Sequence, residues 1–75
     1  PAVGQITLHW NGANLVGWKV LDADRKTTLR NSTTGAQGSK SQDLPPGDYV
    51  VTLDATGFQP IPVTVRNGKA STVTP

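Results

Sequence analysis

The chain has 75 residues and no cysteine, and seven Lys and Arg against five acidic residues give a net charge of +2. A chain of this length forms one small domain that buries only about 60% of its unfolded surface, and without cysteine neither a disulfide nor a thiolate metal site can reinforce it. The basic residues form no run longer than two and no apolar run approaches about 20 residues, so we expect neither a nucleic-acid partner nor membrane insertion.

Alternation of apolar and polar residues with a period of two predicts half-buried strands, and eight Gly and six Pro disfavour helices. In the first strand this alternation places Ile6, Leu8 and Trp10 on one face. We predict seven strands, at about residues 5–10, 15–21, 27–30, 39–43, 49–54, 61–65 and 70–73.

Residues 31–42 contain no large apolar side chain. This composition is compatible with a loop or with a solvated edge strand, since polar edges discourage pairing with other chains. We expect mostly loop here, with a short strand near residues 39–43 that delivers Leu44 to the core.

The second half contains strong turn signals. Pro46 and Gly47 have the backbone preferences of a tight turn, and Asn67–Gly68 is a typical two-residue hairpin connection. Pro60 and Pro62 are consistent with an edge strand or with the entry to a strand, because proline has no N–H to donate to a neighbouring strand.

Seven short strands at this spacing predict an all-β fold, an antiparallel β-sandwich of the transthyretin-like or Ig-like kind. We expect residues 1–75 to form a single module. The chain contains no Met, begins at Pro1 and ends at Pro75, which is typical of a domain excised from a larger protein.

Three segments, Leu44–Val51, Ala55–Phe58 and Val63–Lys69, resemble the PEGA and carboxypeptidase-regulatory-like β-sandwich modules. The resemblance covers roughly residues 43–75. Residues 18–24 are similar, more loosely, to sandwich modules attached to bacterial von Willebrand factor A-type proteins. The resemblance implies a transthyretin-like accessory module of a secreted or envelope protein, and these families share no catalytic residues to assign.

Polar candidates for a catalytic or metal site are few. His9 is the only histidine, and its parity places it on the face opposite Ile6 and Leu8. Asp22 and Asp24 have the spacing of a calcium loop, but Lys26 stands where the next oxygen ligand is needed, so a turn in which aspartate bonds to the backbone is favoured. We predict no catalytic residue, metal or cofactor.

Trp10 and Trp18 allow two interpretations. Exposed indole rings on a small sandwich stack against sugars, which predicts a carbohydrate site. Both residues nevertheless share parity with apolar positions, and a domain short of core volume needs large side chains inside, so the core is favoured.

Two functional hypotheses follow. The first is a non-catalytic accessory module, not an enzyme, that mediates domain spacing or protein–protein interaction in an extracytoplasmic protein; its partners are neighbouring domains or another protein. The alternative is a carbohydrate- or surface-ligand-binding module that uses Trp10 or Trp18.

Overall fold

The computed structural model describes residues 3–75, and this part of the chain contains seven strands and no helix. The strands are β1 Gly4–His9, β2 Val16–Asp22, β3 Thr28–Thr34, β4 Ser39–Leu44, β5 Gly47–Leu53, β6 Ile61–Val65 and β7 Ala70–Val73. The all-β prediction is therefore confirmed.

The strands form two sheets that pack face to face. The first sheet has the order β4-β1-β7 and the second has the order β3-β2-β5-β6. Neighbouring strands are antiparallel, except that β1 and β7 run parallel. The molecule is therefore an antiparallel-dominated β-sandwich with one parallel pair.

The core lies between the two sheets and is built by the inward residues of each strand. In β1 the alternation buries Ile6 and Leu8, and in the facing sheet Val20 and Val51 are directly paired and fully buried. The buried cluster comprises Ile6, Leu8, Trp10, Val16, Trp18, Val20, Leu44, Val51, Val65 and Val73. Period-two alternation thus identified the inward face correctly.

The prediction that residues 31–42 are mostly loop is wrong. β3 continues through Thr34 and β4 begins at Ser39, which leaves residues 35–38 as the connection. Both strands lie at sheet edges, where backbone hydrogen bonds to one neighbour hold a strand that has few apolar side chains. The predicted strand near residues 39–43 is confirmed, and it delivers Leu44 to the core.

The predicted hairpin at Asn67–Gly68 is also wrong, although the turn itself forms. Lys69 N–H donates to the Arg66 carbonyl (3.1 Å), and Gly68 adopts φ +72°. The strands on either side, β6 and β7, belong to different sheets. A turn signal specifies a local reversal of the chain, whereas the pairing of the next strand depends on the whole sandwich.

The Pro45–Pro46 turn likewise crosses between the sheets, because β4 and β5 belong to different ones. The Tyr49 hydroxyl donates to the Pro45 carbonyl (2.6 Å), which ties the start of β5 to this turn. Pro62 lies on β6, at the edge of its sheet, as predicted.

Candidate functional site

Trp18 lies inside the sandwich. Its side chain on β2 is 1% exposed, and its indole N–H donates to the Thr34 hydroxyl (2.8 Å), which is also 1% exposed. The core interpretation is confirmed for Trp18, since no face of the ring is open for stacking against a sugar.

Trp10 closes one end of the core. It is 9% exposed and its indole N–H donates to the Asn14 carbonyl (2.7 Å). The Phe58 ring packs edge-on against it, with centroids 5.4 Å apart and an interplanar angle of 63°. Gly12 lies against the indole so closely that a Cβ there would overlap the ring. Trp10 is therefore also a core residue, and Phe58, itself 40% exposed, covers it.

His9 projects from the outer face of the three-stranded sheet and is exposed, as its parity predicted. Its partner across the sheet is Ser39 on β4. No group of three or more His, Cys, Asp or Glu side chains within residues 3–75 is arranged to hold a metal ion.

Asp22 stabilises the turn between β2 and β3 through hydrogen bonds to the backbone. Its carboxylate accepts hydrogen bonds from the main-chain N–H groups of Lys26 (3.1 Å) and Thr27 (3.4 Å). The bond from Lys26 is the main cause that lowers the pKa of Asp22, because it stabilises the charged form. The Arg25 N–H donates to the Asp22 carbonyl (2.9 Å), and Arg25 adopts φ +63°. The predicted aspartate turn is confirmed.

Two other carboxylates are bonded to neighbours on the sheet surfaces. Asp43 accepts from the Gln5 amide (3.0 Å) on the outer face of the three-stranded sheet. Asp48 accepts from the Thr64 hydroxyl (2.9 Å) on the outer face of the other sheet. These acids stabilise cross-strand pairs, and neither is buried in an apolar pocket that would suit it to acid–base catalysis.

The surface of the described residues contains two depressions, and each is lined in part by a glycine. One, of about 300 Å³, lies over Gly17 and is flanked by Lys19, Asn31 and Asp54. The other, of about 440 Å³, lies beside Gly4 at the opposite end of the molecule. The depression over Gly17 was not predictable from the sequence because residues from three separate segments build it. Its polar side chains include no nucleophile paired with a base.

Within residues 3–75, no helix is long and apolar enough to cross a membrane. No protein-family model matches the chain, and no curated protein shows significant similarity to it.

Proposed function

We propose that the chain is a non-catalytic accessory β-sandwich module that spaces neighbouring domains, or joins them to another protein, in an extracytoplasmic protein. The observation that carries the proposal is the parallel pairing of β1, the first strand, with β7, the last. Parallel strands run in the same direction, so the first strand begins and the last strand finishes at opposite ends of the sandwich.

The dimensions of the sandwich suit such a role. Its principal extents are 36 × 24 × 16 Å. The longest strands have seven residues and span about 23 Å, which is the length of sheet that separates the two ends. Two domains attached at the two ends would be held apart by the length of a rigid sheet rather than by a flexible linker.

The outer faces of the sheets also fit an accessory role. Polar side chains bond across strands on the three-stranded sheet, as in the Thr7–Ser41 hydroxyl pair (2.8 Å) and the Gln5–Asp43 pair, and on the other sheet in the Thr64–Asp48 pair. Side chains bonded in this way give the module a solvated surface and stabilise the sheet.

The resemblance of residues 43–75 to PEGA and carboxypeptidase-regulatory-like modules leads to the same proposal. A module of that kind stands beside other domains of a secreted or envelope protein. We therefore place the chain in a bacterial extracytoplasmic protein and take its partners to be neighbouring domains or another protein.

The spacing role is tested by replacement in the protein that carries the module. In one variant the module is replaced by an unrelated β-sandwich whose first strand begins, and whose last strand finishes, at opposite ends. In a second variant the module is replaced by a Gly/Ser linker with the same number of residues. A flexible linker of 75 residues has a root-mean-square span of about 45–50 Å with a broad distribution. Spin-label distances between the flanking domains should stay narrow with the unrelated sandwich and broaden with the linker; equally broad distributions in all three proteins would refute the role.

The alternative, a carbohydrate site, has lost its main support because both indole rings are buried. Tryptophan fluorescence tests this directly. We expect blue-shifted emission, little quenching by acrylamide and no change across a panel of glycans. A red-shifted, readily quenched emission that responds to one glycan would favour the alternative.

A further inference from the structure

Each sheet ends in two edge strands: β4 and β7 in one, and β3 and β6 in the other. An edge strand presents unpaired N–H and C=O groups, which can pair with a strand from another chain. Proteins block such edges with inward-pointing charges, bulges or proline. If the module mediates protein–protein interaction, as proposed above, an unblocked edge is where a partner strand would pair.

The edges of β3 and β4 are blocked by charge. Lys40 of β4 is paired with buried Leu8, so it takes an inward position at the edge, yet its side chain remains exposed. Arg30 of β3 is paired with buried Val20, so it also takes an inward position while its side chain remains exposed. The register between β2 and β3 shifts immediately after Val20. A strand added to either edge would have to bury a positive charge, which is strongly unfavourable.

The edge of β6 is blocked differently. Pro62 has no N–H to offer to a partner strand. The Thr64 carbonyl already accepts a hydrogen bond from the Ser71 hydroxyl (2.8 Å), which links β6 to β7 across the two sheets. On this edge Pro62 therefore has no donor for a partner strand, and the carbonyl of Thr64 is already hydrogen-bonded.

The edge of β7, the shortest of the seven described strands with four residues, carries no inward-pointing charge, bulge or proline. Ala70, Ser71, Thr72, Val73 and Thr74 are uncharged, and none is proline. No strand of the described chain, residues 3–75, covers this edge.

The register identifies which backbone groups of β7 are free. Gln5 N–H donates to the Lys69 carbonyl (2.9 Å). In the parallel register Gln5 is paired with Ala70, and Thr7 is paired with Thr72. In a parallel pair with this register, the backbone N–H and C=O groups of Ser71 and Val73 point toward β1 and bond to it. The N–H and C=O groups of Ala70 and Thr72 consequently point away from the sheet, and those of Thr74 would do the same if β7 were extended by one residue on pairing.

We propose that β7 pairs with β7 of a second copy of the chain, antiparallel about a two-fold axis at Thr72, to form one continuous six-stranded sheet. In this register Thr72 faces Thr72 of the second copy, and Ala70 faces Thr74. All three outward residues then exchange hydrogen bonds with their counterparts.

The outward residues are self-complementary, which is the reason to favour a second copy as the occupant. Ala70 and Thr74 lie symmetrically on either side of Thr72, so each meets a counterpart on the second copy. Lys69 lies opposite Pro75 of the second copy, so no like charges meet across the strands. A two-fold interface uses the same patch on both subunits and requires this kind of self-complementarity. Opposed threonines are also a favourable cross-strand pair. Because β7 is short, the interface is small and we expect weak, concentration-dependent association.

The first test is sedimentation of the full chain over a dilution series. We expect a reversible monomer–dimer equilibrium. Thr72→Lys places like charges directly opposite each other and should weaken dimerisation about tenfold or more. Ser39→Lys is the matched control, because it adds the same charge to the outer face of the same sheet at the far edge, and it should change the dissociation constant by about twofold or less.

Charge reversal separates loss of pairing from misfolding. An equimolar mixture of Thr72→Lys and Thr72→Glu should form a heterodimer more readily than either variant forms a homodimer. A wild-type chain that stays monomeric at every concentration, or equal weakening by Thr72→Lys and Ser39→Lys, would overturn the proposal.

Hydrogen exchange locates the interface residue by residue. The amides of Ala70, Thr72 and Thr74 should become protected as concentration rises, whereas those of Ser71 and Val73 should be protected at all concentrations. Concentration-dependent protection on β3 or β4 instead would refute the choice of edge. The spacing experiment above does not depend on this outcome, so failure of the dimer and failure of the spacing role are distinguishable.

Discussion

Thr34→Val removes one hydroxyl from the core and leaves the shape of the side chain almost unchanged. That hydroxyl is the acceptor for the Trp18 indole N–H at 2.8 Å, and both side chains are 1% exposed. In the variant the indole N–H stays buried without a partner, because water cannot reach it. In the native structure no buried side-chain polar atom among residues 3–75 lacks a partner, so this substitution creates a defect that the fold otherwise avoids.

The expected magnitude follows from the burial of this pair. A buried donor left unsatisfied costs about 1–3 kcal/mol. A domain of 75 residues has a total free energy of unfolding of about 4–11 kcal/mol. We therefore expect Thr34→Val to remove a sizeable fraction of the stability and to lower Tm by about 4–8 °C for each kcal/mol lost.

The assay is urea unfolding followed by far-UV circular dichroism, since indole fluorescence would itself respond to the substitution. Thr33→Val is the matched control, because it makes the same chemical change one residue earlier, at an exposed position of the same strand. The control should change stability by less than about 0.5 kcal/mol. Equal effects of the two substitutions would refute the reasoning, as would an unchanged exchange rate of the Trp18 indole proton.

Gly12→Ala should destabilise the fold by about 1–3 kcal/mol, because the added Cβ would overlap the Trp10 indole. Gly35→Ala is the control, since its Cβ would enter open space and the substitution should be nearly neutral. Thermal unfolding compares the two variants, and equal Tm values would contradict the prediction. Asp22 should titrate below the ordinary aspartate pKa, since its bond from Lys26 N–H lowers the pKa in the folded state. The resulting stabilisation is present above the unfolded-state pKa and is lost as pH falls through the folded-state pKa. Carboxyl NMR titration measures the midpoint, and Asp22→Asn should flatten the acid limb of the stability–pH curve; a midpoint at or above the ordinary value would rule the mechanism out.

The inward positions of the strands were predictable from the sequence because side chains on a strand alternate between faces. Ile6, Leu8, Val16, Trp18 and Val20 were assigned to one side on this basis, and the structure buries all of them. The turns were predictable for a similar reason, since Asp22 and Gly68 have local backbone preferences that do not depend on distant residues.

The partners of each strand were not predictable in the same way. The Asn67–Gly68 turn has the composition of a hairpin, but it leads from one sheet to the other, because β7 pairs with β1 rather than β6. Residues 31–34 lack the apolar side chains that identify a strand, and they extend β3 because β2 supplies hydrogen-bond partners. Such pairings join residues far apart in the chain, so no local pattern encodes them.

The edge of β7, where we propose that a second copy pairs, depends on both local sequence and tertiary structure. The sequence alone identifies Ala70–Thr74 as an uncharged β-forming segment between Lys69 and Pro75, and it places Lys40, Arg30 and Pro62 in other strands. The fold places these three residues at the other sheet edges, and no strand within residues 3–75 covers β7. The physical reason is that alternation and turn preference act within a few residues, whereas the order of strands in a sheet is set by the packing of the whole core.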